Sequence, residues 1–297
     1  MTSPEAPYTI SSRKEVGTMA RTGVFFHPIM AQGVWPIIGN KFERFPEVME
    51  EVLKLPGVEL ITAEPASEEL LCKCHSPDYL QRVKASWYWQ GAVRAVGGCV
   101  QASEMVARGE LRNALVFSVA AGHHASASSG WGGTYLACIA PSVANLREKG
   151  LIGRVAILDT DCHHGDGTRS FFLEDPEVLH VCFCHSDWVS PDGTKVDVAV
   201  PFSTGDEEYL RRVEQEFCSR AKDFGPALIF HNFGHDTCDG DYGDRGLSPE
   251  FFPRLAERIK ELAEEVSQGR YVIITHGGAR KDVAERIFPE IVRLLAS

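Results

Sequence analysis

The chain has 297 residues, and its 30 Lys and Arg against 41 Asp and Glu leave a formal net charge of −11. Hydrophobic residues at 44% and charged residues at 24% are the values of a globular chain with a sizeable core, which excludes disordered, collagen-like and disulfide-scaffold classes. The acidity argues against a phosphate-backbone partner, and the lack of both a long apolar run and a secretory leader predicts a cytoplasmic protein with no membrane contact. Residues 1–18 are polar and read as a loose extension ahead of one domain over 19–297.

Taken in chain order, short β-branched and aromatic runs predict strands at Thr22–Phe26, Val58–Thr62, Ala114–Val119, Val155–Asp159, Leu179–Cys182, Val196–Val200, Ala227–Asn232 and Tyr271–Thr275. Helical patterns between them predict helices at Pro46–Lys54, Pro77–Ala85, Gly91–Ala107, Thr134–Glu148, Tyr209–Phe224, Pro249–Ser267 and Arg280–Leu295. Continuously apolar runs such as VAILD and VIIT fit parallel strands covered on both faces. The alternation therefore predicts one doubly wound α/β domain, a mostly parallel central sheet flanked by helices. Nine cysteines, an odd number, argue against a disulfide framework; Cys72 and Cys74 lack a second pair with knuckle spacing.

Ligands of an open parallel sheet bind beyond the carboxyl ends of its strands. The polar clusters GHHAS, DTDCHHGDGT, HSDW, GHDTCDGD and THGGAR each follow a predicted strand. Alternation along an extended segment sends Asp159, Asp161 and His163 to one side, so Asp161 and His163 can reach one ion together. Asp236, from another strand end, would complete a three-ligand set with an open position, the arrangement of a catalytic zinc. His123 and His124 supply acid–base groups beside such a metal, and Asp159 and Asp166 are left to orient imidazoles.

The order GHHA, a Gly-Thr-Tyr-Leu segment, DxDxHHGDGT, a GxD before GD and a Gly-rich turn near the C-terminus resembles the zinc-dependent histone deacetylase superfamily. Acetoin-utilisation proteins and acetylpolyamine amidohydrolases belong to it, and the resemblance runs from about Arg21 to Leu294. It implies the arginase/deacetylase fold and one zinc, or iron in the cell, on Asp161, His163 and Asp236. It further implies two dyads, His123 with Asp159 and His124 with Asp166, the second histidine being the better general base. His164 would sit behind the ligands, and a potassium ion would lie on the backbone near Asp159–His163. Ureohydrolases of related fold need two bridging manganese ions, with further carboxylates where this chain has Gly165 and Cys238, so a mononuclear site and amide chemistry are favoured.

Two departures stand out. The family's carbonyl-binding Tyr falls, by ungapped matching of Thr275-His276-Gly277-Gly278-Ala279-Arg280, on Ala279, which leaves Arg280, His276 and Tyr242 as replacement donors. The aromatic wall of the acyl tunnel falls on Gly133, with Trp188 expected as the opposite wall. The expected activity is a zinc-dependent hydrolase that removes an acyl group from an N-acylated amine, small molecule or acyl-lysine. The alternative is a metal-binding protein of the same fold with weak or altered activity.

Overall fold

A computed structural model describes residues 21–119 and 122–297; the proposed extension at 1–18 lies outside them. The strands are β1 (Thr22–Phe26), β2 (Val58–Thr62), β3 (Asn113–Val116), β4 (Val155–Asp159), β5 (Val178–Cys184), β6 (Trp188–Val189), β7 (Lys195–Ala199), β8 (Leu228–Phe233) and β9 (Tyr271–Thr275). They form one nine-stranded sheet in the order β2-β1-β3-β9-β8-β4-β5-β7-β6, parallel throughout except for β6 against β7. The α-helices are α1 (Glu50–Leu53), α2 (Glu68–Cys74), α3 (Pro77–Lys84), α4 (Trp89–Ala107), α5 (Ile139–Glu148), α6 (Asp166–Phe172), α7 (Asp206–Val213), α8 (Ser219–Phe224), α9 (Phe251–Ser267) and α10 (Lys281–Ala296). The fold is thus the expected α/β sheet with flanking helices.

Burial follows strand position. Residues of β1, β3, β4, β5, β8 and β9 are buried throughout, as apolar runs covered on both faces should be, whereas the edge strand β2 is half-exposed and admits Glu59. Helix α4 packs on β1, β3 and β9 and against α5; α9 and α10 pack on each other and reach β8, β9, β1 and β3. Phe42, Phe45, Phe117 and Phe288 meet edge to face or tilted with centroids 5.2–6.1 Å apart, joining the loop after β1 to the end of β3 and to α10.

Two predicted helices are reshaped, and a further helix, α2, was not predicted. The helix expected from Thr134 begins at Ile139, because Gly132 and Gly133 both take positive φ and the Thr134 hydroxyl bonds back to the Trp131 carbonyl, closing a turn instead of a helix. The helix expected over Tyr209–Phe224 is α7 and α8 joined by a π segment, Glu214–Cys218, where the Ser219 hydroxyl bonds the Glu214 carbonyl. Cys72 and Cys74 lie on α2, started by the Ser67 hydroxyl accepting from the Leu70 amide.

Strand order places the site. The chain builds β1 to β3, jumps to β4 through β7 on the far side, then returns to lay β8 and β9 in the gap. The carboxyl ends of β3, β9, β8 and β4 therefore meet at mid-sheet, where the polar clusters emerge.

Candidate active site

Asp159 ends β4 opposite Asn232 on β8 and Cys182 on β5. It is fully buried, and its Oδ2 accepts from Asn232 Nδ2 at 2.9 Å and pairs with His123 Nδ1 at 3.1 Å. Two residues on, Asp161 Oδ1 accepts the His163 amide and lies 3.1 Å from His163 Nδ1, while its Oδ2 accepts the Gly277 amide at 2.9 Å. Asp236, buried in the turn after β8, accepts the Cys162 amide at 3.2 Å and sits 3.8 Å from His163 Nδ1. A Cβ on Gly277 would collide with the Asp161 and Asp236 carboxylates and the Tyr242 hydroxyl, so glycine in this turn is a steric requirement.

Asp161, His163 and Asp236, with the Cys162 thiol, form a group whose donor atoms lie within 4.8 Å of one another. Two buried carboxylates facing each other repel: burial and the Asp161 charge push Asp236 well above the usual carboxylate range. Such a pair without a cation is costly, so the residues fit a divalent ion.

The second dyad closes at the surface side. His124 Nδ1 lies 2.6 Å from Asp166 Oδ1 at the first turn of α6, and its ring stacks on Trp131 at 3.6 Å. Trp131 Nε1 donates to both oxygens of the same carboxylate at 3.0 and 3.2 Å. Burial disfavours charge on both histidines, with opposite outcomes. The Asp159 and Asp161 carboxylates outweigh it at His123 and raise that ring to about 9; at His124, burial and the His123 charge prevail over Asp166 and lower it to about 4.

These groups floor a cavity of about 240 Å³. Pro36, Ile37, Ile38 and Val119 join Trp131 in giving it apolar walls, and His123, His124, Asp161, His163, Tyr242 and His276 line its base. Ile37, β-branched and at φ 67°, holds a strained conformation at the rim and packs where a side chain on Gly133 would go.

The replacement donors separate. Tyr242 turns its hydroxyl inward, accepting the Gly278 amide at 2.8 Å, with its ring 6.0 Å from that of His163. His276 is buried beside His123, its Nδ1 3.0 Å from the Ile274 carbonyl and its Nε2 without a partner. Arg280 is corrected: its guanidinium holds Asp282 and the Asp239 carbonyl (2.6 Å) at the start of α10, away from the cavity. Ala279 and Arg280 amides both donate to Asp241, which fixes this turn. Trp188 is also corrected as a wall. Antiparallel pairing of β6 with β7 puts it at the far sheet edge, over the Arg169 guanidinium at 5.3 Å. His164 turns to Asp197 and Cys184, at 3.3 and 3.8 Å.

Sequence reasoning missed Trp131 and Lys41. Trp131 was visible in GWGGTYL, two positions before the matched Gly133, but its use depends on the turn that folds it over His124. Lys41 carries no local signal; it is buried, and its Nζ donates to the His276 and Gly277 (3.1 Å) carbonyls, with burial lowering it to about 7 against the pull of Asp236, Asp241 and Asp161.

Comparison with known proteins shows the family. The histone deacetylase domain model matches residues 86–295, so the chain belongs to the histone deacetylase family. It is 27% identical over 293 residues to a probable deacetylase of Archaeoglobus fulgidus, covering 86% of this chain and 81% of that one. It is 27% identical over 252 residues to a histone deacetylase-like amidohydrolase of Pseudomonas aeruginosa, covering 74% of this chain and 66% of the relative. The crystal structure of the HDA15 HD domain superposes with a TM-score of 0.79 at 19% identity, over 93% of this chain and 90% of that one, which is a likeness of fold.

Proposed function

We propose that the chain is a metal-dependent amide hydrolase that removes an acyl group from an N-acylated amine, with Asp161, His163 and Asp236 holding one divalent ion, zinc or iron. The observation that carries this reading is the convergence of that buried carboxylate pair with two His–Asp dyads at the floor of one apolar cavity. When bound, the ion supplies Lewis-acid polarisation of the substrate carbonyl and a water of lowered pKa. Asp166 fixes His124 with Nδ1–H outward, which leaves Nε2 free to take the water's proton; a ring neutral above about pH 4 is in the form a base requires. His123, whose Nδ1 is held by Asp159, is the complementary acid for the leaving amine. Tyr242 stands where its O–H can donate to the carbonyl oxygen, the task for which Ala279 lacks a group. Trp131, Ile37 and Ile38 embrace the acyl or amine chain.

The acidic surface suits a cationic amine, and the cytoplasm is the proposed compartment. Among the described residues, no helix is long and apolar enough to cross a membrane. Potassium is proposed on the main-chain oxygens around Asp159–His163.

His124→Ala is expected to lower hydrolysis of acyl amines by about 10²–10⁴ with metal content unchanged. Asp236→Ala is expected to lose the metal. Metal analysis of both variants, paired with a panel of acetyl, formyl and longer acyl amines, checks the reading; full activity in His124→Ala would refute the base assignment.

A further inference from the structure

Beyond the catalytic centre, we infer that the protein carries a second ion site, for zinc or a similar thiophilic divalent cation, built from His164, Cys182, Cys184 and Asp197. One donor atom from each lies within 4.8 Å of every other. Two of the separations are those of ligands around one small ion. His164 Nδ1 is 3.3 Å from Asp197 Oδ1 and 3.8 Å from Cys184 Sγ, where tetrahedral ligands with bonds of roughly 2.0–2.3 Å stand roughly 3.3–3.8 Å apart.

Tertiary structure makes the cluster. Cys182 and Cys184 sit two apart on β5 and so share a face; Asp197 comes from the neighbouring β7, paired with Cys182, and His164 from the loop after β4. The cysteines and Asp197 are buried, and His164 is partly exposed. Partners of an outer shell are already in place. The Gly165 amide donates to Cys182 Sγ at 3.3 Å, and Arg169 Nη2 donates to Asp197 Oδ1 at 2.7 Å. Charge closes as well. Two thiolates and one carboxylate balance a divalent ion plus the Arg169 guanidinium, and loading releases the two thiol protons to solvent. Sulfur donors select zinc over magnesium or calcium. Asp197 also borders a cleft at the sheet edge, with Trp188 and Arg212. An ion here would tie β5 and β7 to the loop that presents His163.

The test is to strip the full chain with chelator, reload it with Zn²⁺ or Co²⁺, remove unbound ion, and measure metal per chain together with the cobalt spectrum. Two ions per chain and a thiolate-to-cobalt charge-transfer absorption are expected. Cys182→Ser/Cys184→Ser should lose one equivalent and that absorption while holding the other equivalent, which also reports that the variant has folded. Asp236→Ala should keep the absorption while losing the catalytic ion, so failure of the catalytic reading leaves this result distinct. One ion per chain without thiolate absorption overturns the site. So does an absorption that survives the double serine variant and disappears in Cys162→Ser.

Discussion

The carbonyl donor proposed here, Tyr242, comes from a different place in the chain than the turn that carries Ala279. The turn 277–280 offers only Ala279 at the family's tyrosine position, yet Tyr242 reaches the same turn from the loop after β8, its hydroxyl anchored by the Gly278 amide. An N–H donated to the phenol oxygen leaves the phenol proton free to point into the cavity, which is the geometry of a carbonyl donor. Tyr242→Phe is therefore expected to lower kcat by about 10²–10³ with metal content intact, measured by steady-state kinetics on the best acyl amine found. Unchanged kcat would return the role to His276, whose Nε2 is buried without a partner. Asp159, Asp161, His163 and Asp166 were legible as candidates because DTDCHHGDGT keeps them within eight positions on one strand end, whereas the candidates Asp236, His123 and His124 come from other strand ends. Tyr242, Trp131 and Lys41 were not legible in the same way, since each acts across a turn whose path no local pattern specifies.

At the scale of elements, the close seat of α4 on the sheet depends on small residues. A Cβ on Gly97 would run into the Glu64 carbonyl and the Ala66 amide of the segment after β2. Ala is about 1 kcal/mol better than Gly in an exposed helix, whereas overpacking against backbone costs about 1–3 kcal/mol or more. The second effect wins here, because the obstacle is main chain that cannot rotate aside. Gly97→Ala is expected to lower stability, read as a lower urea midpoint with unchanged slope; a stabilised variant would show that the segment yields. Strand positions were readable from apolar runs, and all eight predicted strands are present with ends shifted by a few residues. Only β6 went unseen, for a two-residue exposed edge has no apolar run to display. Helix α6 was hidden in the polar motif that precedes it, and α2 in the interest of its cysteines.

For the whole molecule, the buried histidines set an acid limit. Burial lowers both His180 and His231 to about 3, the first assisted by Arg169, and both rings sit in the sheet, His231 between Thr160 and Tyr271. In the unfolded chain they take up protons near 6.5. Below that value the unfolded state binds more protons, so stability is full above about pH 6.5 and falls as the pH drops toward 3. Between pH 6.5 and 5 each ring contributes about 2 kcal/mol of loss. Urea unfolding of the apo protein should show lower stability at pH 5 than at pH 6.5, and replacing His231 by Gln should reduce that difference by about 2 kcal/mol. Equal stability at both values would mean that these rings stay charged or hydrated in the fold.

By itself the sequence determined the α/β class and the strands, because apolar runs and alternation along a strand convert short-range spacing directly into position, and it offered candidates for the dyads and the metal ligands. It left open what stands opposite those groups. Which aromatic walls the cavity, which hydroxyl lines it, and which cysteines meet His164 were decided by the late insertion of β8 and β9 at mid-sheet and by the antiparallel turn of β6. The physical reason is that such contacts join residues far apart in the chain, and their geometry exists only once the sheet order and its connecting turns are closed.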